Sequence, residues 1–262
     1  MSRSLLILAL ALAGAVAMAA PEPPPAPLPP PLPPLGPDAP VTPERLEYRI
    51  RLGLVTVGEA AIEVDGPHDL DGRRVWRIRS TARSHGVLSR LYPVRDRITS
   101  WADTLDLRSH RLRKRIREGG YRTEIDLATD HDAGEGELVQ DGRRRRFPAP
   151  VGAHDVLSAL LRTRADLTTP GDTLLIPVVL EGQGGKMLVT SGDPCEVETP
   201  AGRFACLPVW PELGGAGPFR HEGHMRVDIT RDRRRWPVKV TVKVPIVGSL
   251  VVELVGAAVK GP

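Results

Sequence analysis

Apolar and polar positions alternate with a period of two along most of the chain after residue 44. Leu46, Tyr48, Ile50 and Leu52 alternate with Arg45, Glu47, Arg49 and Arg51, the pattern of a strand with one buried face. After a turn at Gly53, Ala60, Ile62 and Val64 share one face and Glu59, Ala61 and Glu63 the other. Residues 66–72 read as a turn. Trp76, Ile78 and Ser80 then alternate with Arg77, Arg79 and Thr81, and Tyr121, Thr123, Ile125 and Leu127 are expected to face inward. Asp141-Gly142 between residues 138–140 and 143–147 is a two-residue hairpin signal. Further strands are expected at 173–180, 186–191, 195–199, 203–210, 224–230, 236–244 and 247–255. Each has one apolar face, as antiparallel strands with one solvated side require.

One segment breaks the alternation. In residues 153–167, Val156, Leu157, Leu160 and Leu161 recur at helical spacing. Asp155 stands where a cap or first-turn acid belongs, and Pro170-Gly171 follows the end. The fold expected is mainly β: a single domain of antiparallel strands forming a curved sheet or open, flattened barrel with one packed α-helix. No repeat of fixed period occurs, which disfavours propellers and solenoids.

The first 43 residues follow other rules. Arg3, an apolar run over 5–16 and Ala17-Met18-Ala19 have the three parts of a secretory signal, so residues 1–19 are expected to be cleaved. No cysteine lies near the cut, so a lipoprotein is not expected. Thirteen of residues 21–43 are proline, which can form neither helix nor sheet ladders. Residues 20–43 are expected to be a linker, a polyproline II spacer of roughly 70 Å. Residues 44–262 make the domain. The location expected is the periplasm or the exterior, and no transmembrane span is expected in the mature chain.

Composition narrows the chemistry. Of 262 residues 26% are charged and 41% hydrophobic, which is globular. Without the signal and linker the net charge is near +5, because Arg3, Glu22 and Asp38 leave with them. Ten aromatic residues are few for nucleic-acid stacking, and no nucleic acid is expected. The two cysteines, Cys195 and Cys206, flank Thr199-Pro200-Ala201-Gly202. That is turn chemistry, and a tight hairpin brings the cysteines opposite one another, where an oxidising compartment favours a disulfide.

Searches for catalytic motifs mostly fail. No G-x-S-x-G elbow is present. His154, Asp155 and Ser158 resemble triad chemistry but lie within about one helical turn, and fit a helix N-terminus better. His221-Glu222-Gly223-His224 has the wrong spacing for H-E-x-x-H. Residues 182–186 imitate a phosphate loop, but Met187 stands where Ser or Thr is required, and a loop between two strands is the better reading. Glu135 and Glu137 read as loop charges. No catalytic residue, metal site or cofactor is expected. Arginine clustering is the most chemical feature: Arg111, Arg113, Arg115 and Arg117 share one face of a strand, with runs at 143–146 and 233–235. Arg111, Arg113, Arg115, Arg143 and Arg145 form the candidate anionic-ligand patch. The competing reading is a solvated face on which Glu118, Glu124 and Asp126 neutralise the first run.

Several motifs together resemble a bacterial family, domain of unknown function 3108. They are Leu46-Glu47-Tyr48-Arg49-Ile50 with Gly53 and Val57-Gly58-Glu59-Ala60, then Tyr92-Pro93-Val94-Arg95-Asp96 and Thr99-Ser100-Trp101-Ala102-Asp103. His154-Asp155-Val156-Leu157-Ser158-Ala159 with Leu161-Arg162 follows. Glu198-Thr199-Pro200-Ala201-Gly202-Arg203-Phe204, Ile229-Thr230-Arg231-Asp232 and Trp236-Pro237-Val238 complete the series. The resemblance spans about residues 45–255 and implies an exported, β-rich envelope protein without an assigned activity or catalytic residues. The leading expectation is a non-enzymatic binding or assembly factor for a lipidic or amphipathic ligand, held in an apolar cleft between sheet and helix. The alternatives are a surface protein contacting anionic glycan or another envelope protein through its arginines, and an unrecognised hydrolase.

Overall fold

The computed structural model describes residues 30–36, 39–214, 225–244 and 248–259. The signal segment and the His221–His224 motif lie outside them. The elements run β1 (Glu44–Leu52), β2 (Val55–Leu70), β3 (Arg73–Ser84), α1 (Gly86–Leu91), β4 (Arg95–Asp103), β5 (Ser109–Glu118), β6 (Tyr121–Asp130), β7 (Glu135–Gln140) and β8 (Arg143–Pro148). After them come α2 (Val156–Asp166), β9 (Thr173–Leu180), β10 (Gln183–Ser191), β11 (Cys195–Thr199), β12 (Gly202–Gly214), β13 (Met225–Thr230), β14 (Pro237–Val244) and β15 (Gly248–Val259).

All fifteen strands join one antiparallel sheet in the order β8-β7-β6-β5-β4-β3-β2-β1-β15-β14-β13-β12-β10-β9, with β11 paired to β12. The sheet does not close into a barrel, because its end strands β8 and β9 do not pair with one another. The segment between β8 and α2 covers part of the gap. His154 N–H donates to Pro177 O at 2.8 Å, and Val179 N–H donates to His154 O at 2.9 Å. This parallel bridge caps an otherwise open strand edge.

The concave face is built by the alternating apolar positions. Leu46, Val64, Ile78, Leu112, Leu127, Val238, Leu250 and Leu254 are nearly or fully buried. Helix α2 lies against this face. Asp155 caps it, accepting from Leu157 N at 2.8 Å and Ser158 N at 3.0 Å, while Ser158 Oγ accepts from Asp155 N. This reciprocal cap satisfies three backbone donors. Leu157 and Leu161 enter the core.

Two arginines of α2 are buried, Arg162 at 2% and Arg164 at 1% exposure, and both are held by hydrogen bonds. Arg164 donates to Glu44 Oε1 at 2.6 Å, Arg235 O at 2.7 Å and Arg234 O at 3.0 Å. Trp236 Nε1 donates to the other Glu44 oxygen at 2.8 Å. Arg235 in turn donates to the carbonyls of Arg164 and Ala165 near the end of α2. Arg162 donates to Asp166, Asp106 O and, at 2.7 Å, Pro33 O.

That last bond ties the described part of the proline-rich segment to the domain. Leu35 N–H donates to Leu105 O at 2.7 Å, and Leu32, Leu35 and Val41 pack on the core. Pro33 thus offers its carbonyl as an acceptor where its missing N–H cannot donate.

Other departures are local. β2 continues through Gly66-Pro67 by a register shift between Asp65 and His68, a bulge that absorbs both residues. The turn falls instead at Asp71-Gly72, both with positive φ. β4 and α1 were not expected. Tyr121 sits at a hairpin end and is exposed, although Thr123, Ile125 and Leu127 of the same face are buried. Glu135 and Glu137 belong to β7 and not to a loop.

Removing one partner of the buried pair leaves a charge without compensation. Glu44→Gln is expected to lower unfolding stability by about 3–5 kcal/mol, read by urea titration. Arg45→Ala, which breaks an exposed pair with Glu47, is expected to change it by no more than about 1 kcal/mol.

Candidate functional site

A cavity lies between α2 and the concave face of β1, β2, β15, β14, β13, β12 and β10. The helical spacing of Val156, Leu157, Leu160 and Thr163 presents four side chains to it, and the sheet supplies Met187, Val209, Met225, Val240 and others. Val156, Leu160, Pro211, Met225 and Val240 are only half-buried, so the lining is partly open. Among the described lining residues, two side chains carry a hydroxyl, and each is hydrogen-bonded. Tyr48 donates to Pro237 O at 2.8 Å and Thr163 to Ala159 O at 2.9 Å. Burial raises the Tyr48 pKa well above its ordinary value. What remains is hydrocarbon and thioether surface around about 90 Å³. At about 10–15 Å³ for each water-sized group, the space holds roughly six to nine such groups. Individual lining residues were visible in the sequence as inward strand positions, but their convergence was not.

The candidate arginine patch does not stay together. Arg113 lies opposite Asp126, Asp126 opposite Val139, and Val139 opposite Arg144. Arg145 lies opposite Leu138, Leu138 opposite Leu127, and Leu127 opposite Leu112. Cross-strand partners share a face. Arg111, Arg113 and Arg115 therefore lie on the outer face, while Arg143 and Arg145 lie on the side that carries the core leucines. The Asp141-Gly142 turn sets this register, and a one-residue offset moves a side chain to the other face.

The outer arginines are also neutralised. Arg111 and Arg113 both donate to Asp126, at 2.6 and 2.9 Å, and Arg115 lies 3.4 Å from Glu124. These arginines hold the Asp126 carboxyl below its ordinary pKa against the opposing effect of burial. Arg145 donates to Glu181 O at 3.1 Å, across the gap between the sheet's ends.

Cys195 and Cys206 are opposite one another in register, as the turn chemistry required. Both are free thiols in the structure. Burial, then the nearby Asp228 carboxylate, pushes the Cys206 thiol up to about 12, which suppresses thiolate chemistry. Arg226 donates to Cys195 Sγ at 3.2 Å.

The His154, Asp155 and Ser158 group acts as a helix cap. Asp155 Oδ2 accepts from Ser100 and Ser109, each at 2.5 Å. Ser158 Oγ is engaged by the backbone of Asp155. Burial, then the Arg162 charge, pushes His154 down to about 3, so its ring is neutral.

Glu118 behaves unlike the other acids near the arginines. It points inward and is 1% exposed, with Oε1 unpartnered. Burial, then the Asp96 charge, raises its pKa to about 8. The folded protein thus keeps a proton that the unfolded chain releases near pH 4.5. Stability from this group is complete below about pH 4.5 and is lost as pH rises toward 8. In Glu118→Gln the decline between those values is expected to flatten, as read from urea midpoints across the range. An unchanged profile would place the titration elsewhere.

One solved structure agrees with the architecture. A β-barrel-like protein of domain of unknown function DUF1849 from Brucella abortus superposes with a TM-score of 0.56 at 12% identity, over 84% of this chain and 99% of that one. A candidate exported protein with YmcC-like fold from Bacteroides fragilis gives a TM-score of 0.30 at 10% identity, over 83% and 96%. No curated protein matches the sequence. No helix among the described residues is long and apolar enough to cross a membrane. Residues 47–255 match the family described as protein of unknown function DUF3108, and the chain belongs to that family.

Proposed function

We propose that this protein is a non-enzymatic, exported binding protein of the cell envelope that holds a hydrocarbon chain of a lipid or other amphiphile between α2 and the sheet. The observation that carries this reading is the chemistry of the cavity wall. Both hydroxyls among its described lining residues donate to backbone carbonyls, so they offer an incoming group no free donor, and the rest of the described lining side chains are apolar. A polar ligand would lose its water without compensation, whereas an alkyl chain gains about 0.8 kcal/mol per buried methylene. Export rests on the signal pattern of residues 1–19. The glycan alternative has less support, because Asp126 already occupies Arg111 and Arg113. The hydrolase alternative has less support because helix capping accounts for Asp155 and Ser158.

The test is native mass spectrometry of the mature chain, purified from the periplasm without detergent, with titration of a fluorescent fatty acid. An organic-extractable extra mass and saturable binding are expected. Leu160→Glu, at a half-buried helix position facing the cavity, is expected to weaken binding at least tenfold while the fold survives. A bare mass with no fatty-acid binding would end this reading.

Export also implies an oxidising environment for the cross-strand cysteines. The exported chain is expected to be two hydrogens lighter than the reduced one and to gain about 2–3 kcal/mol from the Cys195–Cys206 bond. Mass measurement with and without reductant, beside urea titration of each form, checks both.

A further inference from the structure

The strands alternate in direction, so the β1–β2, β3–β4 and β5–β6 connections share one end of the sheet. Two features meet at that end. The first is the tip of the β1–β2 hairpin, where Leu54 is 94% and Val55 65% exposed. The second is a row of arginines on the outer face. Arg83 lies opposite Arg95, Arg97 opposite Arg115, and Arg117 opposite Arg122. The Arg97–Arg115 pair and the Val94–Glu118 bridge bracket Arg95 and Arg117 and place them opposite each other as well. Arg83, Arg95, Arg117 and Arg122 therefore form a continuous line across β3 to β6.

Like charges directly opposite one another destabilise a sheet, and here little offsets them. Arg83 meets Glu59, and Arg115 reaches Glu124. Arg95, Arg97, Arg117 and Arg122 form no ion pair with any described residue, and Arg122 donates only to the carbonyls of Gly119 and Tyr121. Further from this end the same face is balanced, with Arg79 on Glu63, Arg77 on Asp65, and Arg111 with Arg113 on Asp126. Beyond Glu59 and Glu124, the acids beside the row are Asp96 and Glu118, and they lie on the inward side: Glu118 is buried and Asp96 half-buried. Guarding a strand edge does not explain the row either, because β3 to β6 are interior strands.

We infer that this end of the sheet docks on an anionic lipid bilayer. Leu54 and Val55 lie four to five residues beyond the arginine row, or roughly 13–16 Å at about 3.3 Å per residue along a fully extended hairpin. An apolar tip that leads a band of arginines matches a surface whose phosphates lie outside its hydrocarbon. A soluble anionic polymer would use the arginines but would have no use for an exposed Leu-Val tip. The inference does not depend on the cavity ligand.

The experiment is cosedimentation of the mature chain with vesicles of equimolar phosphatidylglycerol and phosphatidylcholine, against phosphatidylcholine alone. Binding to the anionic vesicles is expected to exceed binding to the neutral ones at least tenfold and to fall with salt. Leu54→Ser with Val55→Ser is expected to weaken it about tenfold, and Arg95→Glu with Arg117→Glu at least tenfold. All these side chains are exposed, so the variants fold. Arg95→Glu alone is expected to raise the thermal midpoint, since it gives Arg83 and Arg117 a partner. Leu160→Glu is expected to bind vesicles like the wild type, which separates this surface from the cavity. Equal binding to both vesicles, no loss in either double variant, or capture by dextran sulfate that exceeds vesicle binding and survives loss of the Leu-Val tip would overturn the inference.

Discussion

The carboxylate of Glu44 holds the arrangement together. It is buried at the first residue of β1, with one oxygen on Arg164 of α2 and the other on Trp236 before β14. An open sheet of fifteen strands presents a broad apolar concave face, and it needs a cover to keep that face from water. Helix α2 provides the cover, and Glu44 fixes where its C-terminal half lies. The opposite end is fixed by Asp155, which caps the helix and binds Ser100 and Ser109. Two buried carboxylates thus set the position of the helix, and the cavity is the space left between Val156, Leu160 and the strands. A charge buried without its partners is costly, so such anchors favour one placement strongly over its neighbours.

The outer face has a different organisation. Across β2 to β6 most carboxylates lie opposite arginines and leave a balanced surface, apart from the row near one end. Cross-strand register therefore turns a modest net charge into a local excess. Its position beside an apolar hairpin tip, and not the total charge, gives that end its chemical character. The cavity and the docking surface are separable: one is lined by α2 and inward positions of β1, β2, β10 and β12 to β15, the other by outward positions of β3 to β6 and the tip of the β1–β2 hairpin.

Alternation in the sequence was enough to identify most strands and the face each one buries, because neighbouring side chains on a strand point to opposite sides. Helix α2 and its cap were legible for the same local reason: the spacing of Val156, Leu157, Leu160 and Leu161, and the acceptor at Asp155. β4 was not, because its inward positions include Asp96, Ser100 and Ala102. Ser100 is buried only because a distant carboxylate, that of Asp155, accepts its hydroxyl.

Sequence by itself therefore determined the β-rich architecture, the single major helix and the in-register cysteines, all of which follow from spacing within one element or across one turn. Tertiary structure decided which arginines stand together. Arg111 and Arg145 belong to separate faces, while Arg83, Arg95, Arg117 and Arg122 join although three connections separate them in the chain. It also decided that Arg162 and Arg164 are interior and that Pro33 is held by one of them. These outcomes depend on strand register and on partners 70 to 129 residues away, and no local pattern of residues carries that information.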